Sequence, residues 1–437
     1  MNYQQAVDYI HSLGRFGSKP GLSRIGELLK QLGSPEKQLK FVHVAGTNGK
    51  GSTAAFIAGM LGEAGYRTGL YISPYLESFN ERIQINRCPI SEDKLAELVT
   101  GIKPLCHQLS ETAVGHPTQF EIITALAMQY YALEQVDIVV LEVGLGGRFD
   151  ATNIIPPPEV GVITSIGLDH QAVLGDTIPE IAAEKAGIIK PHMTLVTGVR
   201  ELEAREVIAA KVEQEAGQLY ALDRDFKARD RQYRWNGQSF KYLSLADEEQ
   251  QIQIALNGRH QVDNACVAIA AVEVLNKKGF EVNWEAVKNG ISKVSWPGRM
   301  EVIRQEPLVI LDGAHNSHGT KALKNSLQEL ARYQKIISVI GILKDKDFAE
   351  MIEDIASLSK IVIITAPDYY RAIDTGVLVA EALNYCQSVL SVTGVANAVS
   401  KAILLAEKND LVLITGSLYT IGEARTFLRN TDTEFSL

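Results

Sequence analysis

His43-Val-Ala-Gly-Thr-Asn-Gly-Lys-Gly-Ser-Thr53 lies between a short apolar run, Phe41 to Val44, and an alanine-rich run, Ala54 to Ala64. Together the three segments read as strand, glycine loop and helix. In that context backbone N–H groups and the positive end of a helix dipole converge on an anion. The spacing G-x-x-G-K-G-S/T is not a Walker A pattern, which would have glycine at Val44 and Ser or Thr at Gly51. The stretch is nonetheless read as a phosphate cradle of Gly46, Thr47, Asn48, Gly49, Lys50, Gly51, Ser52 and Thr53. Lys50 would reach the outer phosphates, and Ser52 or Thr53 would face a magnesium ion or a phosphate oxygen.

Outward from this loop, apolar strand candidates alternate with amphipathic stretches. Strands are expected at Thr68–Ile72, Asp137–Leu141, Gly161–Ser165 and Thr194–Thr197, with helices at Glu92–Leu105, Glu121–Leu133 and Ile178–Gly187. The alternation predicts a mostly parallel sheet. Tyr220 to Ile254 instead alternates polar and apolar residues, which predicts antiparallel strands or a hairpin before a helix at His260–Lys277. Ser295-Trp-Pro-Gly-Arg299 punctuates the chain. Beyond it come strand candidates Leu308–Leu311, Lys335–Gly341, Ile361–Thr365, Ser388–Val392 and Leu411–Thr415. The expected fold class is α/β: an N-terminal P-loop-type, mostly parallel sheet domain over 1–296 and a C-terminal Rossmann-like α/β domain over 297–437.

The 437 residues suffice for two cores, and a 46% hydrophobic fraction is that of an ordinary globular protein. A net charge of −9 without a basic run argues against nucleic acid as a partner. No stretch approaches the ~20 apolar residues of a membrane span. Met1 to Arg15 has no basic segment leading into an apolar one, so a cytoplasmic protein is expected. Cys88, Cys106, Cys266 and Cys386 are scattered without a C-x-x-C pair and read as reduced thiols.

Ligands of open α/β sheets collect beyond the carboxyl ends of strands. Glu142, in Leu141-Glu-Val-Gly-Leu-Gly-Gly-Arg-Phe-Asp150, falls at such an end and suits a hard cation; it could equally cap the glycine turn or pair with Arg148. Ser73-Pro-Tyr-Leu76 follows another strand, as a loop with a hydroxyl at its start, Tyr75 within it and Arg82 at its exit, before an extended return over Phe79–Asn86. Gly167-Leu-Asp-His170 follows a further strand end. Thr177-Ile-Pro-Glu180 has the residues of a capping box, opening a helix that carries Glu184-Lys185. Lys185 could form an ordinary salt bridge, and Asn264 could be a structural cap.

The string G-T-N-G-K-G-S-T resembles the nucleotide loop of the Mur ligase superfamily, and specifically of folylpolyglutamate synthase/dihydrofolate synthase. Further strings of that family run to Thr415-Gly-Ser-Leu-Tyr419, among them S-P-Y-L…E-R-I, G-L-D-H…E-K-A-G, Trp296-Pro-Gly-Arg299, Leu311-Asp-Gly-Ala-His-Asn316 and Gly341-Ile-Leu-Lys-Asp-Lys-Asp347. The resemblance implies an ATP-dependent ligase. A folate carboxylate takes the γ-phosphate to form an acyl phosphate, and the amine of L-glutamate then displaces phosphate. It implies magnesium at two sites, with Ser73, Glu142 and His170 as ligands. Asn264 would meet ATP, Arg299 phosphate and Asp312 the nucleotide ribose, and His315 would lie near the acyl phosphate or incoming amino acid. Tyr75, which replaces a commoner His, and Phe79, Arg82 and Ser417 would contact folate or glutamate. Lys185 would be carbamylated, which requires a neutral amine and so a depressed pKa. Lys50, His170, Lys185 and His315 are the expected catalytic set. The expected partners are small molecules: ATP, L-glutamate, and folate or dihydropteroate. Neither nucleic acid nor membrane is expected, and the enzyme is expected to be a monomer. The alternatives are another Mur-type amide ligase, or a nucleotide-dependent switch or ATPase with no second substrate.

Overall fold

The computed structural model describes residues 1–13, 21–235, 237–330 and 333–434, with side chains described up to Thr431 at the C-terminal end. Gly14 and Arg15, the end of the N-terminal stretch discussed above, lie outside the described residues.

The first sheet contains β1 (Phe41–Ala45), β2 (Thr68–Tyr71), β3 (Ile83–Ile85), β4 (Cys88–Pro89), β5 (Ile138–Glu142), β6 (Val160–Ile163), β7 (Thr194–Thr197) and β8 (Gln218–Ala221). Their order is β4-β3-β2-β5-β1-β6-β7-β8. All pairs are parallel except β2/β3 and β3/β4. The central strands β1 and β5 are buried on both faces, which is why they read as apolar runs, interrupted only by the buried His43 and ended by Glu142.

The segment after Ser78 differs from the extended return expected. Phe79–Arg82 is a 3₁₀ turn, and only Ile83–Ile85 is strand. The Glu81 carboxylate explains it, accepting from the N–H groups of Leu76, Glu77 and Ser78 at 2.8, 3.1 and 2.8 Å. The helix expected from Ala54 starts at Lys50 and runs to Glu63, buried almost all round between the sheet and the helices Arg259–Lys277 and Trp284–Ser292. The helix from Glu92 passes through Pro104 and ends at Ser110 rather than Leu105, because Cys106 and Leu109 are still in the core.

The alternating region forms a three-stranded antiparallel sheet, β9 (Lys227–Arg234), β10 (Gly237–Leu243) and β11 (Glu249–Ile254). Phe240, Tyr242, Ile252 and Ile254 pack into the core that contains the Arg259–Lys277 helix. At the far end of the β9–β10 hairpin, the Trp235 indole donates to the carbonyl of Leu330 at 3.1 Å, and Tyr233 and Trp235 pack on the core of the last sheet.

That last sheet contains β12 (Glu301–Gln305), β13 (Leu308–Leu311), β14 (Ile336–Ile340), β15 (Ile361–Ile364), β16 (Val389–Ser391) and β17 (Leu411–Thr415), in the order β12-β13-β17-β14-β15-β16. It is parallel except for the edge strand β12, whose Glu-Val-Ile-Arg-Gln sequence gave no buried-strand signal. Residues that follow β1, β5, β6 and β13 line one shared cavity between the first and last sheets. Among the described residues, no helix is long and apolar enough to cross a membrane. All four cysteines are free thiols, with only Cys88 exposed.

Candidate active site

The loop after β1 turns on two glycines. Gly46 has φ +148°, and a Cβ there would stand 1.9 Å from the Thr164 hydroxyl oxygen. Gly49 has φ +83° and precedes the Lys50–Glu63 helix with no side-chain cap. The first N–H groups of that helix therefore open into the cavity without intrahelical partners. The two preceding amides are already engaged: Thr47 N–H donates to the Ser165 carbonyl at 2.7 Å and Asn48 N–H to the Ser165 hydroxyl at 3.2 Å. The N–H groups left open to the cavity are thus those of the helix start rather than of the whole loop.

The Lys50 amine lies in the cavity wall and donates to the carbonyls of Gly46 and Thr47, both at 3.1 Å. Burial lowers its pKa, against the opposing pull of Glu142 and Asp169. Lys185 is 4% exposed and its amine also donates to Gly46, at 3.0 Å. Burial first, and then the Lys50 charge, bring its pKa down to about 7. Lys185 therefore makes no bridge to Glu184, whose partner is Arg148 at 3.6 Å.

Glu142 is the last residue of β5 and is 5% exposed. One carboxylate oxygen accepts from Ser73 N–H at 2.9 Å. Burial raises its pKa, partly offset by Lys50 and that N–H. The glycine turn beyond it is capped by Asp150, which accepts from Leu145 N–H at 2.9 Å, so Glu142 is not spent there or on Arg148.

From the last sheet come Arg299, Asp312 and His315, all lining the cavity. Both oxygens of Asp312 hold backbone, accepting from Met300 and Ala314 N–H at 2.9 Å each. His315 Nδ1 lies 2.7 Å from the Gly313 carbonyl, which assigns the proton to Nδ1 and leaves Nε2 unprotonated. Burial, reinforced by Lys346, lowers its pKa to about 4.

Asp169, which no motif singles out, joins the two sides of the site. Its carboxylate accepts from the Lys346 amine at 2.6 Å and from the Asn316 amide at 2.8 Å, and lies 3.8 Å from His170 and 4.0 Å from His315. Burial alone would raise its pKa; Lys346 and the two imidazoles reverse that and hold it well below the usual carboxylate range. Beside it, Asn48 and Asn316 exchange amide hydrogen bonds at 3.1 Å, and Asn48 lies 2.9 Å from His318. The signal was present in the quoted strings G-L-D-H, D-G-A-H-N and K-D-K-D, but their contact joins residues 177 apart.

One cavity of about 350 Å³ gathers Gly46 to Ser52, Ser73, Glu142, His170, Lys185, Asn264, Arg299, Asp312 and His315. Asn264 donates to Gln261 at 3.0 Å, with its amide oxygen against Gly49. Five expected residues fall outside this wall. Thr53 is fully buried in the helix. Tyr75, Phe79 and Arg82 form their own cluster, the guanidinium 5.1 Å from the Tyr75 ring centre and 5.7 Å from that of Phe79. Ser417 stands apart as well, 1% exposed, its hydroxyl 2.8 Å from that of Thr420 and accepting Thr420 N–H.

This geometry has known relatives. Residues 44–272 match the Mur ligase middle domain, and residues 298–418 the Mur ligase glutamate ligase domain. The dihydrofolate synthase/folylpolyglutamate synthase of Bacillus subtilis is 41% identical over 98% of this chain and 99% of its own. The folylpolyglutamate synthase of Lacticaseibacillus casei is 37% identical over 98% and 99%. The solved structure of Mycobacterium tuberculosis folylpolyglutamate synthase complexed with ADP superposes with a TM-score of 0.91, at 33% identity over 98% of each chain. An uncapped helix start, a buried carboxylate, and a buried and a half-buried amine, facing a second sheet across one cavity, thus occur on a chain that belongs to the folylpolyglutamate synthase/dihydrofolate synthase family of Mur ligases.

Proposed function

We infer that this protein is an ATP-dependent ligase that joins L-glutamate to a folate carboxylate. The observation that carries the reading is the cavity itself, where the Lys50–Glu63 helix start, Lys50, Lys185 and Glu142 face Arg299, Asp312 and His315. A carboxylate oxygen of the folate attacks the γ-phosphorus, and the bond to ADP breaks. The glutamate nitrogen then attacks the acyl carbon, phosphate departs with the C–O electron pair, and the nitrogen gives up a proton.

Attack by one anion on another needs positive charge at the transferring group. Lys50 supplies it by leaving its two carbonyl acceptors, and Arg299 supplies it from the opposite wall. The helix N–H groups hold the outer phosphates, with Asn264 and Asp312 on the rest of the nucleotide. The Asn48–Asn316 and Asp169–Lys346 contacts close the walls and keep water from the acyl phosphate. His315, neutral and with a free Nε2, is suited to accept a proton at the incoming nitrogen.

The donor set fits magnesium: a buried carboxylate with a raised pKa, Glu142, beside Ser73 and His170 in one cavity. Bound there, the metal would neutralise phosphate charge. Among the described residues no three His, Cys, Asp or Glu cluster as a closed cage, which suits an ion that keeps water and phosphate ligands. Lys185, with its pKa near 7, has the neutral amine that can add carbon dioxide, forming an N–C bond and releasing a proton. The Tyr75, Phe79 and Arg82 cluster next to the Ser73 loop is a candidate folate contact. We take residues 1–296 and 297–437 as the two working units, supported by the gap between the two family matches. The cavity needs one chain only, which supports a monomer, and a folate ligase of this kind belongs in the cytoplasm.

The test is phosphate release with ATP and L-glutamate, comparing dihydropteroate with tetrahydrofolate as acceptor. Release that depends on glutamate and on at least one acceptor is expected. ATP hydrolysis indifferent to both would overturn the reading in favour of an ATPase.

A further inference from the structure

We propose that Arg425 is a positioning residue that ties the Ser73 loop to the Arg299 segment, so that the two walls of the active site are set by one side chain. The proposal rests on the ligase reading above. Arg425 belongs to the helix Leu418–Glu434, is 9% exposed and is not part of the cavity wall.

Its guanidinium pairs with two carboxylates from opposite sides of the site. One is Glu77, three residues beyond Pro74 in the loop that starts at Ser73. The other is Glu301, reached at 3.0 Å. Glu301 in turn accepts from Gly298 N–H at 2.8 Å, and Asp312 accepts from Met300 N–H at 2.9 Å, so Arg299 is bracketed on both sides. Glu77 is further held by the Thr426 hydroxyl at 3.1 Å and faces Arg429 at 3.7 Å.

The apolar contacts point the same way. Leu76 leaves the first sheet's loop and packs into the core of the last sheet. Gly422 lets it in: a Cβ there would stand 2.8 Å from the Leu76 carbonyl oxygen. Because Glu81 fixes three successive N–H groups of this loop, a shift at Glu77 is passed to Ser73 rather than absorbed. A planar guanidinium is suited to this span, since it engages two carboxylates at fixed angles, whereas an ammonium acts as a single point.

The experiment measures kcat, the KM of each substrate, the magnesium concentration for half-maximal rate, and thermal melting, for wild type, Arg425→Gln, Arg425→Lys and Glu77→Gln. Misplacement of a reacting group by about 1 Å costs on the order of a hundredfold. Arg425→Gln is therefore expected to lose about that factor in kcat and to need more magnesium, with the ATP KM little changed. Arg425→Lys is expected to recover melting but not kcat. Glu77→Gln, which keeps the Glu301 pair, is expected to lose kcat by a smaller factor with the same rise in magnesium requirement. Folded variants with wild-type kcat and magnesium dependence would overturn the proposal, as would full activity in Arg425→Lys. If Arg425→Gln does not fold, the other two variants decide. Wild-type turnover in the same assay reports on the ligase reading, and the variant-to-wild-type ratio on Arg425 alone.

Discussion

The amines of Lys50 and Lys185 converge on one acceptor, the carbonyl oxygen of Gly46, at 3.1 and 3.0 Å. Two ammonium ions held this close with little water repel strongly. The arrangement favours a charged amine beside a neutral one. Lys185, driven by burial and by Lys50 to a pKa of about 7, is the one placed to be neutral. The loop after β1 therefore holds two lysine amines on one carbonyl, with Lys185 the one placed to be neutral.

Lys50→Ala should fold and lose turnover. One missing charge-stabilising contact is worth about 3 kcal/mol, roughly a hundredfold in kcat. Steady-state kinetics beside a melting curve check it; near-normal kcat would remove Lys50 from the phosphate site.

Lys185→Ala should lose most activity, with partial recovery on adding a short carboxylic acid that replaces the carbamate. Stability gives a second readout. The folded pKa is about 7 against an ordinary 10.5, so between those values the unfolded chain holds a proton that the native chain does not. Native stability then rises with pH across that window, and the whole cost of burying the ammonium is present below it. Lys185→Met should accordingly raise the melting temperature most at about pH 6 to 7, with the gain fading by about pH 10. A gain that does not vary with pH would contradict the assignment.

Glu142→Gln removes charge without changing shape. It should cut kcat about a hundredfold and weaken the magnesium dependence of nucleotide binding. Stability should hold or rise slightly, because the carboxylate's pKa is raised by burial and its charge is a cost to the fold. Calorimetry of ADP binding with and without magnesium, beside melting curves, checks both halves.

Gly49→Ala places a Cβ at φ +83°, 2.4 Å from the Asn264 amide oxygen. The left-handed backbone alone costs about 1–2 kcal/mol. A lower melting temperature and a raised KM for ATP are expected, with the KM for glutamate unchanged.

Much of this was legible in the chain. The strands Thr194–Thr197, Leu308–Leu311 and Leu411–Thr415 have the bounds expected because each is a short, largely buried run with an apolar centre. The capping box at Thr177 and Glu180 formed as spaced, since both partners are local. Ser73 and His170, on two loops, and Glu142, at the end of β5, do line one cavity, because parallel strands deliver their carboxyl ends to one edge. What escaped was non-local or set by competition. Asp169 became a hub only through Lys346 and Asn316, which sequence spacing does not connect. Phe79–Arg82 turned instead of extending because one glutamate captured three amides. The burial of Ser417 and its hydroxyl contact with Thr420 are likewise not visible in spacing.

The β9–β10 hairpin comes from the first part of the chain, yet Trp235 closes a gap against Leu330 in the last part. Cutting the polypeptide near Pro297 would thus yield fragments with matching scars: one with an indole that has lost its acceptor, the other with an uncovered apolar patch. Produced together, 1–296 and 297–437 should reassemble into an active heterodimer, while either alone aggregates, and Trp235→Ala should weaken that complementation more than it weakens the uncut enzyme.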